Sequence, residues 1–172
     1  MATQLLENET DIHTLSVYVA NKPGVLARVA QVFARRGYNI ESLVVSPSKN
    51  GDFSRMTIAV EGSLEGLDQI IKQTNKLIDV IHCTDHTDDN SVTRELALIK
   101  ISLADIQQRT EVLQIAEHFG CKTVDFTKAS MILMITGATE KIDACVRVCG
   151  NFDIVELVRT GKVVMARGER ET

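Results

Sequence analysis

The chain has 172 residues, enough for one domain or two small ones, and its 44% hydrophobic content is typical of a globular protein rather than a disordered one. The formal net charge of -4 argues against a nucleic-acid binder, and two Tyr, five Phe and no Trp leave few side chains for base stacking. No apolar run approaches the roughly 18 to 20 residues that span a bilayer, so no membrane segment is expected.

Residues 1–11 are predicted to be an acidic N-terminal tail, unlike a secretory signal or an Arg-rich transit peptide. The four cysteines of the chain include no Cys-x-x-Cys pair and are too few for a small disulfide scaffold. We therefore expect a cytoplasmic protein with reduced thiols.

Alternating apolar residues from Leu15 to Val19 predict the first strand. The turn "NKPG" at residues 21–24 ends it, with Asn21 placed to cap a helix and Pro23 suited to the first turn of that helix. A helical apolar stripe follows and stops before Gly37, a residue suited to the left-handed end of a helix. The stripe consists of Val25, Leu26, Val29, Val32 and Phe33.

The next segments predict a hairpin, a second helix and a fourth strand. The hairpin strands are "YNIESLVVS" and "FSRMTIAVEG", joined by the polar loop "PSKNGD". Ser63 is placed to cap the second helix, and "LIDVIHC" predicts the last strand. The order β-α-β-β-α-β is that of the ferredoxin-like fold, an antiparallel sheet with both helices on one face.

Residues 85–94 are polar and charge-rich without apolar periodicity, which predicts a linker. The same order of elements then repeats with little identity between the halves. We therefore predict an α+β protein of two consecutive ferredoxin-like βαββαβ domains, at residues 12–84 and 95–172.

The strand "MILMI" at residues 131–135 does not alternate, so it is predicted to be buried on both faces. Helices cover only one face of such a sheet. We therefore expect the other face of the C-terminal domain to pack on another protein surface, most simply a second copy of the chain.

A group of possible metal ligands lies at and just after the fourth predicted strand: His82, Asp85, His86, Asp88 and Asp89. Even spacing would place the two histidines on one side of an extended strand. No recognised ligand spacing accompanies them, and a solvated linker has the same composition, so we expect no metal site.

Structural roles account for several other candidates. Cys145 and Cys149 share a helix face and are predicted to be buried small hydrophobic residues rather than a redox site. Arg35 and Arg36 end a helix, where cations complement the dipole, although an anion contact is also open. Thr110, at the start of a predicted helix, is expected to cap it.

The loop "NKPG" offers groups that bind a small anionic ligand. It leads into the first helix, whose unpaired N–H groups and dipole favour a carboxylate. Asn21 supplies an amide, Gly24 lets a ligand approach the backbone, and Asn39 with Ile40 begins the second strand. These groups would suit an α-amino acid. Purely structural roles, with Asn21 as a cap and Asn39 in a turn, explain the same spacing equally well.

The quoted residues resemble a known family. The block "LSVYVANKPGVLARVAQVFARRGYNIESL" resembles the ACT domain, a small-molecule sensor. More narrowly, it is similar to the regulatory (small) subunits of acetohydroxyacid synthase, also called acetolactate synthase. The similarity continues through "SRMTIAVEG", "KLIDVIHCTD", "TRELALIKI" and "IVELVRTGKVVMARG", and thus covers almost the whole chain.

The resemblance implies a non-catalytic subunit that activates the catalytic (large) subunit and confers feedback inhibition by valine or another branched-chain amino acid. It implies an ACT–ACT homodimer with the effector in the interface, and a C-terminal domain that makes dimer and catalytic-subunit contacts. Thiamine diphosphate, Mg and FAD would belong to the catalytic partner, with no cofactor on this chain.

Carried over by motif, the resemblance implies an effector site in the loop and at the start of the second strand. Its residues would be Asn21, Pro23, Gly24, Val25, Leu26, Asn39 and Ile40.

Two alternatives use the same fold. A free-standing amino-acid sensor with a different target would share the ACT blocks but not those beyond residue 94. An acylphosphatase-like hydrolase would need an Arg in the first loop, and "ANKPG" contains none.

Overall fold

The computed structural model describes residues 11–87, 90–169 and 171–172. The chain divides into two compact units, the first holding the described residues up to Ser91 together with Ala166–Thr172, and the second holding Val92–Met165. The elements are β1 (Asp11–Ala20), α1 (Val25–Ala34), β2 (Ile40–Pro47), β3 (Phe53–Gly62), α2 (Leu64–Thr74), β4 (Val80–Asp85), β5 (Ser91–Ser102), α3 (Ile106–Phe119), β6 (Lys122–Phe126), β7 (Ser130–Gly137), α4 (Thr139–Cys149), β8 (Ile154–Arg159) and β9 (Val163–Ala166).

The first unit has a four-stranded sheet in the order β2-β3-β1-β4, and every pairing in it is antiparallel. The alternating residues of β1 point into the core, since Leu15, Val17 and Val19 are fully buried. Val29 and Phe33 of α1 pack in the same core. The predicted β-α-β-β-α-β order of this half is confirmed.

The second unit repeats that order, with strands in the order β6-β7-β5-β8 and β9 also paired with β5. The fold class of two ferredoxin-like βαββαβ repeats is therefore confirmed. The strand predicted to start at residue 95 begins earlier, at Ser91. Because hydrogen bonds to a neighbouring strand extend β5 into polar sequence, composition alone does not reveal its start. Asp88 and Asp89 of the predicted linker lie outside the described residues.

Helix ends follow capping rules, with one prediction wrong. Ser63 caps α2 by accepting a hydrogen bond from the N–H of Gly66, and Gly120 ends α3 in the left-handed conformation. Thr110 does not cap α3, because the helix begins four residues earlier. Asp105 caps it by accepting a hydrogen bond from the N–H of Gln108 at 2.8 Å.

Residues 131–135 are fully buried on one face within the single chain, and cover of the other face by a second protein surface stays a prediction. Met131, Leu133 and Ile135 are fully buried in the core of the second unit. Ile132 and Met134, which point to the opposite face, are only half-buried. The two helices of the unit pack on one face of the sheet, so the apolar sequence continues on the other face without cover from them.

Candidate functional site

The β1–α1 loop is attached to the hairpin that joins β2 and β3. The backbone N–H of Asn21 donates to the carbonyl of Asp52 at 2.9 Å, and its side-chain Nδ2 donates to the carbonyl of Gly51 at 2.8 Å. The position of Asn21 in "NKPG" had predicted that it caps α1, and this prediction is wrong. Helix α1 begins at Val25, too far along the chain for that role, and the amide of Asn21 fixes the loop instead.

Gly24 occupies the N-cap position of α1 with φ 82°, in the left-handed region that favours glycine. Within the described chain, no side chain accepts a hydrogen bond from the first turn of α1, and that turn holds no acidic residue. The N–H groups of Val25 and Arg28 donate to the carbonyls of Lys22 and Gly24. The N–H groups of Leu26 and Ala27, with the positive end of the helix dipole, are thus the ones that face an anion. The prediction that a carboxylate binds at this loop rests on this geometry.

Arg28 adds a positive charge beside this loop that the sequence reasoning did not identify. Its Nη2 lies 2.6 Å and its Nε 3.0 Å from Oδ2 of Asp79. A Cβ atom built on Gly24 would lie 3.2 Å from Nη1 of Arg28, so the guanidinium borders the loop. The available signal was spacing, because Arg28 follows Gly24 by four residues and shares its helix face.

The other predicted residues of this loop differ in exposure. Pro23 is exposed, and the side chain of Leu26 is 42% exposed, so both can meet a ligand. Val25 is only 2% exposed and packs in the core. Its side chain cannot line a pocket on this surface, and only its backbone remains available.

Asn39 and Ile40 lie at the opposite end of the sheet from the loop. Ile40 pairs with Val60, whereas Ala20, which precedes the loop, pairs with Phe53. Seven residues of β3 separate these points, or about 23 Å at the usual rise per residue. The expectation that the two groups converge within one chain is wrong, because β1 and β2 run parallel and α1 carries the chain back before β2 starts.

The end of the sheet at Asn39 carries a negative charge. Nδ2 of Asn39 donates to Oε1 of Glu41 at 2.5 Å, and both side chains are exposed. The amide oxygen of Asn39 and the carboxylate of Glu41 are acceptors suited to an ammonium group. Glu41 was also missed, although residues i and i+2 of a strand share a face.

The suspected metal ligands have other partners. Nε2 of His82 lies 3.1 Å from the carbonyl oxygen of Thr172, and Nε2 of His86 lies 3.1 Å from Oγ1 of Thr84. Within the described part of the chain, no group of three or more His, Cys, Asp and Glu side chains could hold a metal ion. Asp88 lies outside that part.

Comparison with known families covers both halves of the chain. Residues 15–82 match the model of the AHAS small subunit-like ACT domain, and residues 94–168 match that of the small subunit of acetolactate synthase. The chain belongs to the family of acetolactate synthase small subunits. The resemblance stated from the sequence is thereby confirmed.

Relatives of this family match the chain over almost its whole length. The acetolactate synthase small subunit of Mycolicibacterium smegmatis is 46% identical over 165 residues, 96% of each chain. The probable acetolactate synthase small subunit of Archaeoglobus fulgidus is also 46% identical, over 92% of this chain and 99% of its own. The crystal structure of the Thermotoga maritima small subunit superposes with a TM-score of 0.82 at 38% identity, covering 93% of this chain and 99% of that one.

Membership of the small-subunit family defines the role of this chain in broad terms. Small subunits are the regulatory chains of acetolactate synthase rather than the catalytic ones, and the cofactors belong to the catalytic chain. The catalytic large subunit is the partner that this family implies. No helix in the described residues is long and apolar enough to cross a membrane.

Proposed function

We propose that this small subunit binds valine, or another branched-chain amino acid, at an interface between two copies of its ACT domain. Effector binding there transmits feedback inhibition to the catalytic subunit, which the chain activates in the absence of effector. Residues 12–84 carry the effector site, and residues 95–172 contribute to contacts with the catalytic subunit and between copies. The complex acts in the cytoplasm.

The separation of the two halves of the candidate site carries this proposal. The loop with Asn21 and Gly24 and the start of β2 with Asn39 lie about 23 Å apart along the sheet, several times the length of an amino acid. One ACT domain cannot bring both halves to one ligand. A second copy can.

The edge strand β2 provides the geometry for such a pairing. β2 is at the edge of its sheet, and Val45 on it is 43% exposed. Two-fold antiparallel pairing of two β2 strands would set Asn39 of one copy beside Pro47 of the other. Pro47 pairs with Ser54, next to the end of β1 where the loop begins. Asn39 would then approach the loop of the partner, and the symmetry would create two equal sites.

The charges at the two halves complement a zwitterion. The N-terminus of α1 favours the ligand carboxylate. Arg28 is ion-paired with Asp79 through Nε and Nη2, and its Nη1 lies beside Gly24 as a further donor. The Asn39 amide oxygen and the Glu41 carboxylate favour its ammonium. Leu26, exposed on α1, and Ile40, half-buried on β2, offer apolar contacts for a branched side chain. These features support a neutral apolar amino acid rather than a phosphorylated ligand.

Regulation then follows from differential binding. An effector shifts the dimer only by the difference in its affinity for two arrangements of the domains. A coupling of about 1 to 3 kcal/mol would change activity or affinity of the catalytic partner by about 5- to 150-fold.

The test is calorimetric titration of the chain with valine, leucine and isoleucine, paired with an activity assay after addition of the catalytic subunit. We expect saturable binding that Asn21→Ala weakens roughly 2- to 13-fold, because the loop loses the hydrogen bond from Asn21 to the Gly51 carbonyl, worth about 0.5 to 1.5 kcal/mol. Lys22→Ala is the matched control, because Lys22 is exposed in the same loop but outside the proposed site.

Two results would contradict the proposal. Equal valine affinity in wild type and in the Asn21→Ala variant would contradict the placement of the effector site at this loop. Valine binding without any change in activity of the reconstituted synthase, together with failure to co-purify with the catalytic subunit, would favour a free-standing sensor.

A further inference from the structure

Three of the four cysteines meet in the second unit. Cys121 follows Gly120 at the end of α3, and its Sγ lies 3.7 Å from Sγ of Cys145 on α4. Cys149 lies one turn further along α4. Cys83 lies in the first unit.

The three thiols differ in access to solvent. Cys145 and Cys149 are fully buried, whereas Cys121 is only half-buried. A reagent in solution therefore meets Cys121 first, with Cys145 directly behind it. This is the order of an attacking thiol and a resolving thiol in disulfide exchange.

Packing explains each buried cysteine separately but not this pairing. The two sulfurs stand on different elements, 24 positions apart in sequence, and are already in van der Waals contact. A disulfide needs them at about 2.05 Å. A movement of less than 2 Å, at a half-exposed position just before β6, would close the bond.

We propose that Cys121 and Cys145 form a dithiol site that low-molecular-weight disulfides convert reversibly to an intramolecular disulfide. The Cys121 thiolate attacks one sulfur of the reagent RSSR, forms a mixed disulfide and releases one RS⁻. Cys145 then attacks Sγ of Cys121 and releases the second RS⁻. The two protein thiols lose two electrons, the reagent gains them, and the two thiol protons end on two RSH molecules.

The rate of this reaction depends on pH. The hydrogen bond to Cys145, together with burial, raises the pKa of Cys121 above that of an ordinary thiol. Cys121 is therefore almost entirely protonated at neutral pH, and its thiolate fraction rises about tenfold per pH unit below the pKa. We expect slow oxidation at pH 7 that accelerates by about that factor at pH 8.

The experiment uses the full chain and oxidised glutathione as the probe. Samples taken over time at pH 7 and pH 8 are quenched in acid, alkylated in denaturant and mapped by peptide mass spectrometry. We expect loss of two of the four thiols, recovery of both with dithiothreitol, and one cross-linked peptide pair joining Cys121 to Cys145.

Three variants control the assignment. Cys83→Ser should still lose two thiols at the wild-type rate. Cys121→Ser, a change at a half-exposed position that the fold should tolerate, should keep Cys145 and Cys149 reduced under the same conditions. Cys145→Ala should stop at a mixed disulfide with glutathione on Cys121.

Several outcomes would overturn the proposal. Four thiols that stay reduced in folded wild type at pH 8, but oxidise in denaturant, would show that the pair is inert. A disulfide between Cys145 and Cys149 would show that the reactive pair is not the proposed one. A disulfide that joins two chains through Cys121 would show that Cys121 reacts as a surface thiol and not with Cys145.

Discussion

Heterodimers with differently placed substitutions test whether the effector site is shared between two copies. In the proposed dimer, each of two sites takes its loop, with Asn21, from one copy and Asn39 from the other. Co-expression with two affinity tags and tandem purification gives two defined heterodimers. The first, called trans, joins an Asn21→Ala chain to an Asn39→Ala chain. The second, called cis, joins a wild-type chain to a chain carrying both substitutions.

The two heterodimers give opposite expectations. In the trans heterodimer, one site carries both substitutions and the other carries neither, so about one ligand per dimer binds with wild-type affinity. In the cis heterodimer, each site carries one substitution, so both are weakened. Loss of the Asn39 hydrogen bond to the ligand ammonium costs about 1.5 to 3 kcal/mol, or roughly 10- to 150-fold in affinity. Loss of the Asn21 hydrogen bond that holds the loop costs about 0.5 to 1.5 kcal/mol, or roughly 2- to 13-fold.

Titration calorimetry with valine measures both stoichiometry and affinity. Wild type should bind about two ligands per dimer and the trans heterodimer about half as many, by the symmetry of the pairing. The cis heterodimer should show no site of wild-type affinity. The reverse result, an intact site in cis and none in trans, would place both groups in one chain and refute the 23 Å separation inferred from the register of the sheet.

Three further predictions concern single positions. Gly24→Asp should abolish valine inhibition while activation persists, since it adds a carboxylate at φ 82°. Gly24→Ala should weaken inhibition less because it adds no charge, only backbone strain of about 1 to 2 kcal/mol and a Cβ 3.2 Å from Nη1 of Arg28. An Asp variant with full valine sensitivity in the activity assay would contradict this. A Cβ at Gly66 would overlap the Tyr38 ring, 2.6 Å from Cζ, so Gly66→Ala should destabilise the wild type by about 1 to 3 kcal/mol in urea unfolding. The same change in a Tyr38→Ala background should instead stabilise by up to about 1 kcal/mol, through helix propensity, and equal effects in both backgrounds would exclude the overlap. Burial raises the pKa of Cys83 to about 12. Because only the unfolded chain releases this proton above about pH 9, the free energy of unfolding should fall by up to about 1.4 kcal/mol per unit as the pH rises from 9 towards 12. Cys83→Ala should show a shallower fall, and parallel curves would count against this origin.

The sequence predicted the order of elements well because each signal is local. Alternation from Leu15 to Val19 and the helical stripe to Phe33 are periods that a short segment expresses by itself. Ser63 and Gly120 mark helix ends for equally local reasons. Polar segments were harder: the start of β5 at Ser91 depends on pairing with a neighbouring strand, which its composition does not reveal.

The sequence indicated which residues belong to the candidate site but not how they are arranged in space. The motif indicated Asn21, Gly24 and Asn39, and the comparisons confirm the family in which the motif was recognised. The sequence did not indicate that Asn21 holds the β2–β3 hairpin, nor that Arg28 borders the loop. The first contact joins the loop to a hairpin 30 positions away, outside any short window of sequence. The second lies within four residues, but it depends on the helix that starts at Val25.

The sequence by itself determined the fold class and the family and indicated the residues of a candidate ligand site, because periodicity, turn chemistry and motif are properties of neighbouring residues. Only the tertiary structure decided which of those residues meet. It set the loop of Asn21 and the strand start at Asn39 at opposite ends of one sheet, because β1 and β2 are parallel. It brought Cys121 to Cys145 because α4 packs beside the end of α3. Which residues lie close together follows from the order and direction of the strands and helices, and no local sequence pattern contains that information.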